Sequence, residues 1–211
     1  MEGYYQKLES LYSLYEDVKY AILLAENLNK NRSMYIAPIN ELRSALDHIF
    51  QSVNLAKDEV QCDYQLKEAK EHLGRAGCDA LELLLGDMGT NAINKLQTYS
   101  TETLSAVFPK YFTEVRPKIA KIQELIAKYR KDKANHTGIV FQHTTSSDTT
   151  FFEYFQLIKD LQKINEEIDN NIPSLEDYTK RRKKERLFVA LVGLASGVIL
   201  TILSWLLGFW K

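Results

Sequence analysis

The chain has 211 residues, 45% of them hydrophobic and 26% charged, and a formal net charge of −1. That length suffices for one domain with its own core, and two cysteines, Cys62 and Cys78, are too few for a disulfide framework or a cysteine metal site. The near-zero balance hides an asymmetry: seven of the 27 basic residues and one of the 28 acidic ones lie in 180–186 and at Lys211, leaving 20 against 27 in residues 1–179, a net −7. Only six of nine glycines fall in that acidic part, with all four prolines, which favours long helices.

In chain order, Tyr4, Leu8, Leu11, Tyr15, Val18, Ile22 and Ala25 recur at 4-3-4-3 spacing and predict a first helix over 2–29. After a turn at 29–33, a second helix starts near Pro38, which suits a first helical turn, and Ile39, Leu42, Leu46, Ile49, Phe50 and Val53 are expected to face inward. A third begins near Tyr64, with Leu66, Ala69, Leu73, Ala76, Ala80, Leu83 and Leu84 as its apolar arc. On its other side Glu68, His72, Arg75, Asp79 and Glu82 read as a solvated face or a salt-bridged helix contact; one imidazole beside an arginine does not make a metal site. Gly86 and Gly89 are expected to break or kink it, and a further helix to run from Asn91 to about Val107.

Pro117 is placed to open the next helix, carrying Ile119, Ile122, Leu125, Ile126 and Tyr129. Residues 135–150 have no helical period and read as a loop. From Phe151, one heptad position holds Phe151, Ile158, Asn165 and Ile172 and the other Tyr154, Leu161, Ile168 and Leu175. Phe152, Phe155 and Leu157 widen that face beyond a two-stranded seam, which favours packing within the chain over a coiled-coil dimer. Pro173 is expected to separate this helix from the next. No strand alternation or internal repeat is present, so the class is all-α.

Residues 187–210 are 24 residues without a charge, preceded by the basic collar Lys180, Arg181, Arg182, Lys183, Lys184 and Arg186. As a helix this run reaches about 36 Å and can cross a hydrocarbon core of about 30 Å. Trp205 and Trp210 suit the far interface, and the collar keeps residues 1–179 cytoplasmic. The expected layout is a cytosolic helical bundle (1–179), a juxtamembrane collar (180–186) and one C-terminal transmembrane helix (187–210), a single-pass protein of a cell inner membrane. Within that helix Ala190, Gly193, Gly197, Thr201, Ser204 and Gly208 share an arc of about 80°, a face for helix packing or for lining a pore.

Residues 110–133 carry a net +5. Arg116, Lys118, Lys121, Lys128, Arg130, Lys131 and Lys133 are candidate phosphate ligands for a nucleotide or oligonucleotide, with Tyr111, Phe112 or Tyr129 available to stack. The opposing reading is a solvated helix face. Arg43-x4-His48 and Arg130-x5-His136 have the spacing that HEPN ribonucleases use. Chance supplies such pairs, and Arg43 and His48 lie about 140° apart on a helix, where Arg43 suits Asp47 better. Arg130 and His136 therefore form the runner-up catalytic pair. No phosphate loop, dinucleotide fingerprint, CxxC, HExxH or GxSxG occurs, and no cofactor or metal is expected.

The segments Glu41-Leu42-Arg43-Ser44-Ala45-Leu46-Asp47-His48 and Glu71-His72-Leu73-Gly74-Arg75-Ala76-Gly77-Cys78-Asp79-Ala80-Leu81-Glu82, joined to a terminal span, resemble membrane effectors of bacterial anti-phage defence, such as the Hailong channel effector and membrane-bound HEPN-like CRISPR accessories. The resemblance implies a homo-oligomer in the lipid bilayer that forms a gated channel or pore, depolarises the cell and answers to a nucleotide or oligonucleotide. The alternatives are a membrane-tethered HEPN-like ribonuclease and a tail-anchored helical tether or SNARE-like protein.

Overall fold

A computed structural model describes residues 2–29, 34–134 and 151–207. All regular structure among them is helical: α1 (Glu2–Leu28), α2 (Ile36–Asn54), α3 (Glu59–Leu96), α4 (Thr101–Val107), a π turn at Tyr111–Val115, α5 (Arg116–Ala134) and α6 (Phe152–Leu206). The turn at 30–33 and the loop at 135–150 lie outside the described residues.

α3 is the spine of the helical domain, with α1, α2, α5 and α6 packed around it. Its start is set by Asp58, whose carboxylate accepts from the Gln61 amide at 3.2 Å and satisfies an otherwise unpaired first-turn donor. From Glu68 to Gly89 no residue is exposed. Small side chains make this close enclosure possible, because Ala69, Gly74, Ala76, Gly77, Ala80, Gly89 and Ala92 are all buried. Neither Gly86 nor Gly89 breaks the helix, contrary to the expectation from sequence. The cost of helical glycine, about 1 kcal/mol each, is offset by packing: Leu85 and Ala92 are buried on either side, and a Cβ at Gly89 would touch Ile119 of α5. The expected helix over 91–107 is likewise two pieces, the end of α3 and the short α4, divided before Ser100, whose hydroxyl caps the Thr103 amide.

α1 buries Leu11, Leu14, Val18, Ala21 and Ala25 against the core. The periodicity is as predicted, except that Leu14 takes the inward position and Tyr15 is turned out, 40% exposed. On α2 the expected inward face is overturned for four residues: Ile39, Leu46, Phe50 and Val53 are exposed. The seam with α3 is formed by Pro38, Ala45 and Ser52, with Leu42 and Ile49 half-buried between them. Both faces of α2 are apolar, and the smaller side chains win the contact because they let the two helices approach.

Pro117 sits in the first turn of α5 as predicted. Lacking an N–H, it cannot donate to the preceding turn, and that turn is widened to a π turn at Tyr111–Val115. α6 buries Phe151 at its cap and then Tyr154, Ile158, Leu161, Ile164, Ile168 and Leu175, with Asn165 and Ile172 half-buried. Tyr154, Ile158, Leu161, Ile168 and Leu175 are buried in the single chain, so the heptad packs within the chain as predicted, and Asn165 donates to the Leu161 carbonyl of its own helix at 2.9 Å. Pro173 does not separate two helices. It is exposed on an unbroken α6, where Ile168 and Leu175 anchor both sides of it to the core and only one backbone hydrogen bond is forfeited.

Phe151 lies across Gly77 so closely that a Cβ there would stand 2.2 Å from its Cζ. Gly77→Ala should therefore destabilise the domain by about 1–3 kcal/mol, read by denaturant unfolding of the helical signal in detergent. Adding Phe151→Leu should recover part of that loss; a neutral G77A would contradict this packing.

Candidate functional site

One helix among those described, α6, is long and apolar enough to cross a membrane. Its stretch from Leu187 to Leu207 is exposed among the described residues, Ser204 alone being half-buried. Ala190, Gly193, Gly197, Thr201 and Ser204 share one face of this stretch; Gly208 lies outside the described residues. A Cβ at Gly193 or Gly197 would meet nothing within 4 Å, and with Leu194, Val198, Thr201 and Ile202 these glycines line a shallow open groove. Thr201 donates its hydroxyl to the Gly197 carbonyl at 2.8 Å and Ser204 to the Thr201 carbonyl at 2.9 Å. Their polarity is satisfied by their own backbone, so the face can close against an apolar neighbour without stranding a donor.

The collar is not a free ring of charge. Arg182 pairs with Glu102 of α4, and Arg186 reaches the same carboxylate at 3.3 Å. Lys180 pairs with Glu176 at 3.6 Å, and Arg182 also approaches Glu185 at 3.7 Å. Arg181, Lys183 and Lys184 are exposed without a carboxylate partner among the described residues. A short helix thus holds the base of the candidate span to the helical domain.

On α5 the predicted phosphate ligands divide. Arg116, Lys118, Lys121, Lys128 and Lys131 are exposed and unpaired with any described carboxylate, so they form an open, mainly cationic surface that spreads over about 200° of the helix and includes exposed Glu124. Arg130 is committed elsewhere: its Nε donates at 3.0 Å to Glu82, a carboxylate only 2% exposed, which also accepts from the Tyr154 hydroxyl at 2.9 Å. Burial, with Cys78 and Glu82 beside it, holds the Tyr154 hydroxyl well above the usual phenol range. The Lys133 side chain and all of His136 lie outside the described residues, so the runner-up catalytic pair is represented by an arginine with a structural role.

The polar stripe of α3 is not a solvated face; it is the salt-bridged contact that the sequence also allowed. Glu41 of α2 accepts from His72 Nδ1 at 2.8 Å and from Arg75 Nε at 2.9 Å. Burial alone would raise the Glu41 pKa, but these two hydrogen bonds and the positive charge of Arg75 outweigh it, leaving the carboxyl below its ordinary value. The His48 ring stacks on His72 with centroids 5.2 Å apart, and its Nδ1 lies 2.6 Å from Gln65 Oε1. Arg43 is exposed and makes no ion pair with Asp47, while His48 is half-buried and engaged with Gln65 and His72. Sequence reading placed one imidazole on this stripe; α2 brings a second. Glu41, His48 and Gln65 were the missed members; Glu41 and His48 each follow a small seam residue of α2, Pro38 or Ala45, by three positions, while Gln65 of α3 carries no such signal.

Comparison with protein families, curated proteins and solved structures finds no match.

Because the Glu41 pKa lies below 4.5 in the folded state, the folded protein binds fewer protons than the unfolded chain as the solution is acidified. The stability this carboxylate contributes is complete above that ordinary value and is lost as pH falls through the lowered one. Glu41→Gln should lower stability at neutral pH and flatten the acid limb of a stability–pH curve measured by denaturant unfolding. An unchanged acid limb would show that the contact carries no linkage.

Proposed function

We propose that the chain is a single-pass membrane effector that oligomerises through the Ala190–Ser204 face and acts as a gated ion channel, with the helical domain as its regulatory part. A single helix cannot enclose water, so conduction requires several copies around an axis. The observation that carries this reading is the continuity of α6: one helix runs from the buried contacts of Phe151 and Leu161 to the open groove at Gly193 and Gly197. Any shift of α6 against α3 reaches the membrane without a hinge.

The Glu102 contact with Arg182 and Arg186 supplies the latch in this scheme, since it sets the position of the span relative to α4. The open, mainly cationic surface of α5 supports a phosphate-bearing regulator, a nucleotide or oligonucleotide, as the signal. Cell depolarisation in anti-phage defence is the setting that the resemblance of the architecture implies. A ribonuclease reading has less support, because Arg130 is held by buried Glu82.

Purified full-length protein in liposomes should release a trapped ion in proportion to a crosslinked oligomer. Gly193→Leu with Gly197→Leu should reduce both to background while the helical domain keeps its unfolding midpoint. A crosslinked monomer that still conducts, or flux untouched by both substitutions, would refute the channel.

A further inference from the structure

The α2–α3 seam places two imidazoles and a carboxylate together, and we propose that His48, Glu68 and His72 bind a divalent transition-metal ion, Zn2+ foremost. One donor atom from each of the three lies within 4.8 Å of the others. Glu68 and His72 are one turn apart on α3 and so share a face, while His48 is brought by α2 and stacked on His72. A tetrahedral ion with bonds of about 2.0–2.1 Å needs donors about 3.4 Å apart. Side-chain rotations that move the donor atoms by up to about 1.4 Å close the difference.

The surroundings are those of a ligand set. His48 Nδ1 is 2.6 Å from the Gln65 carbonyl oxygen and His72 Nδ1 is 2.8 Å from the Glu41 carboxylate. An imidazole that donates from Nδ1 keeps its lone pair on Nε2, and such outer hydrogen bonds orient metal-binding histidines. Arg75 also brings a guanidinium nitrogen to 2.9 Å from His72 Nδ1, favouring the opposite tautomer. A metal on Nε2 decides that competition for Nδ1–H, with Glu41 as acceptor. Glu68 is half-buried and has no hydrogen-bond or ion-pair partner among the described residues, the condition a bound cation relieves.

The local charge is compatible with a cation: Glu41, Glu68 and Glu71 stand against Arg75 and the exposed Lys67, and Arg75 is itself engaged by Glu41 and Glu71. Two nitrogens and one carboxylate oxygen suit Zn2+ or a neighbouring transition metal better than Mg2+ or Ca2+. Three protein ligands leave one tetrahedral position for water or an incoming group. The ion would pin α2 to α3, and this holds whether or not the protein conducts.

The test uses tag-free, full-length protein in detergent, stripped with a chelator. Zn2+ should bind at about one equivalent and raise Tm by about 5 °C or more at a hundredfold excess over Kd, and Co2+ should give the visible absorption of a four-coordinate site. His48→Gln and Glu68→Gln should each weaken binding at least tenfold and quench the Co2+ bands. If His48→Gln fails to fold, Glu68→Gln, which removes no protein contact, decides alone. Absence of a Tm rise and of Co2+ bands in the unaltered protein, or equal binding by Glu68→Gln, would overturn the site.

Discussion

A helix enclosed on every side cannot leave its polar residues to water, and that constraint organises this molecule. α3 has no exposed residue from Glu68 to Gly89, yet the stretch carries Glu68, His72, Arg75, Asp79 and Glu82. Withdrawing such groups from water unpaired costs several kcal/mol each, and surrounding helices supply partners to His72, Arg75 and Glu82, while Glu68 has none among the described residues. α2 supplies Glu41 to His72 and Arg75; α5 and α6 supply Arg130 and Tyr154 to Glu82. The polar contacts therefore select which helix sits on which side of α3, where apolar packing alone would accept several arrangements.

The second organising feature is mechanical. Because α6 continues through Pro173, the core and the candidate membrane helix are one rod. Lys95 pairs with Asp169 above this point, and Glu102 with Arg182 and Arg186 below it, so α3 and α4 grip the rod at two levels. Tertiary contacts outweigh the local cost of the proline. α6 thereby joins a well-packed domain to a candidate membrane face whose glycines meet nothing within 4 Å among the described residues.

Sequence periodicity made much of this legible, for a reason visible in particular residues. In α6 the heptad positions from Tyr154 to Leu175 are large and apolar except Asn165, so pattern and burial largely coincide. On α2 two apolar faces compete, and the pattern alone chose the bulkier one, Ile39, Leu46, Phe50 and Val53, which is exposed. The seam instead uses Pro38, Ala45 and Ser52, whose small size signals contact only once the partner surface is known. That choice turns His48 toward His72. Candidate site residues were legible where they lie on one helix, as with Gly193 and Gly197, and illegible where two helices must meet.

The sequence by itself determined the helical class, the amphipathic faces of α1 and α6, the apolar run that makes α6 a candidate span, and the charge asymmetry beside it, because all are set by periodicity and composition along one element. Only the tertiary structure decided that α3 is the enclosed spine, that Pro173 and the Gly86–Gly89 pair do not interrupt their helices, and that Glu41, His48, Glu68 and His72 share one seam. Those outcomes rest on which surfaces approach closely enough to exclude water. That depends on pairs of helices and is written in neither one alone.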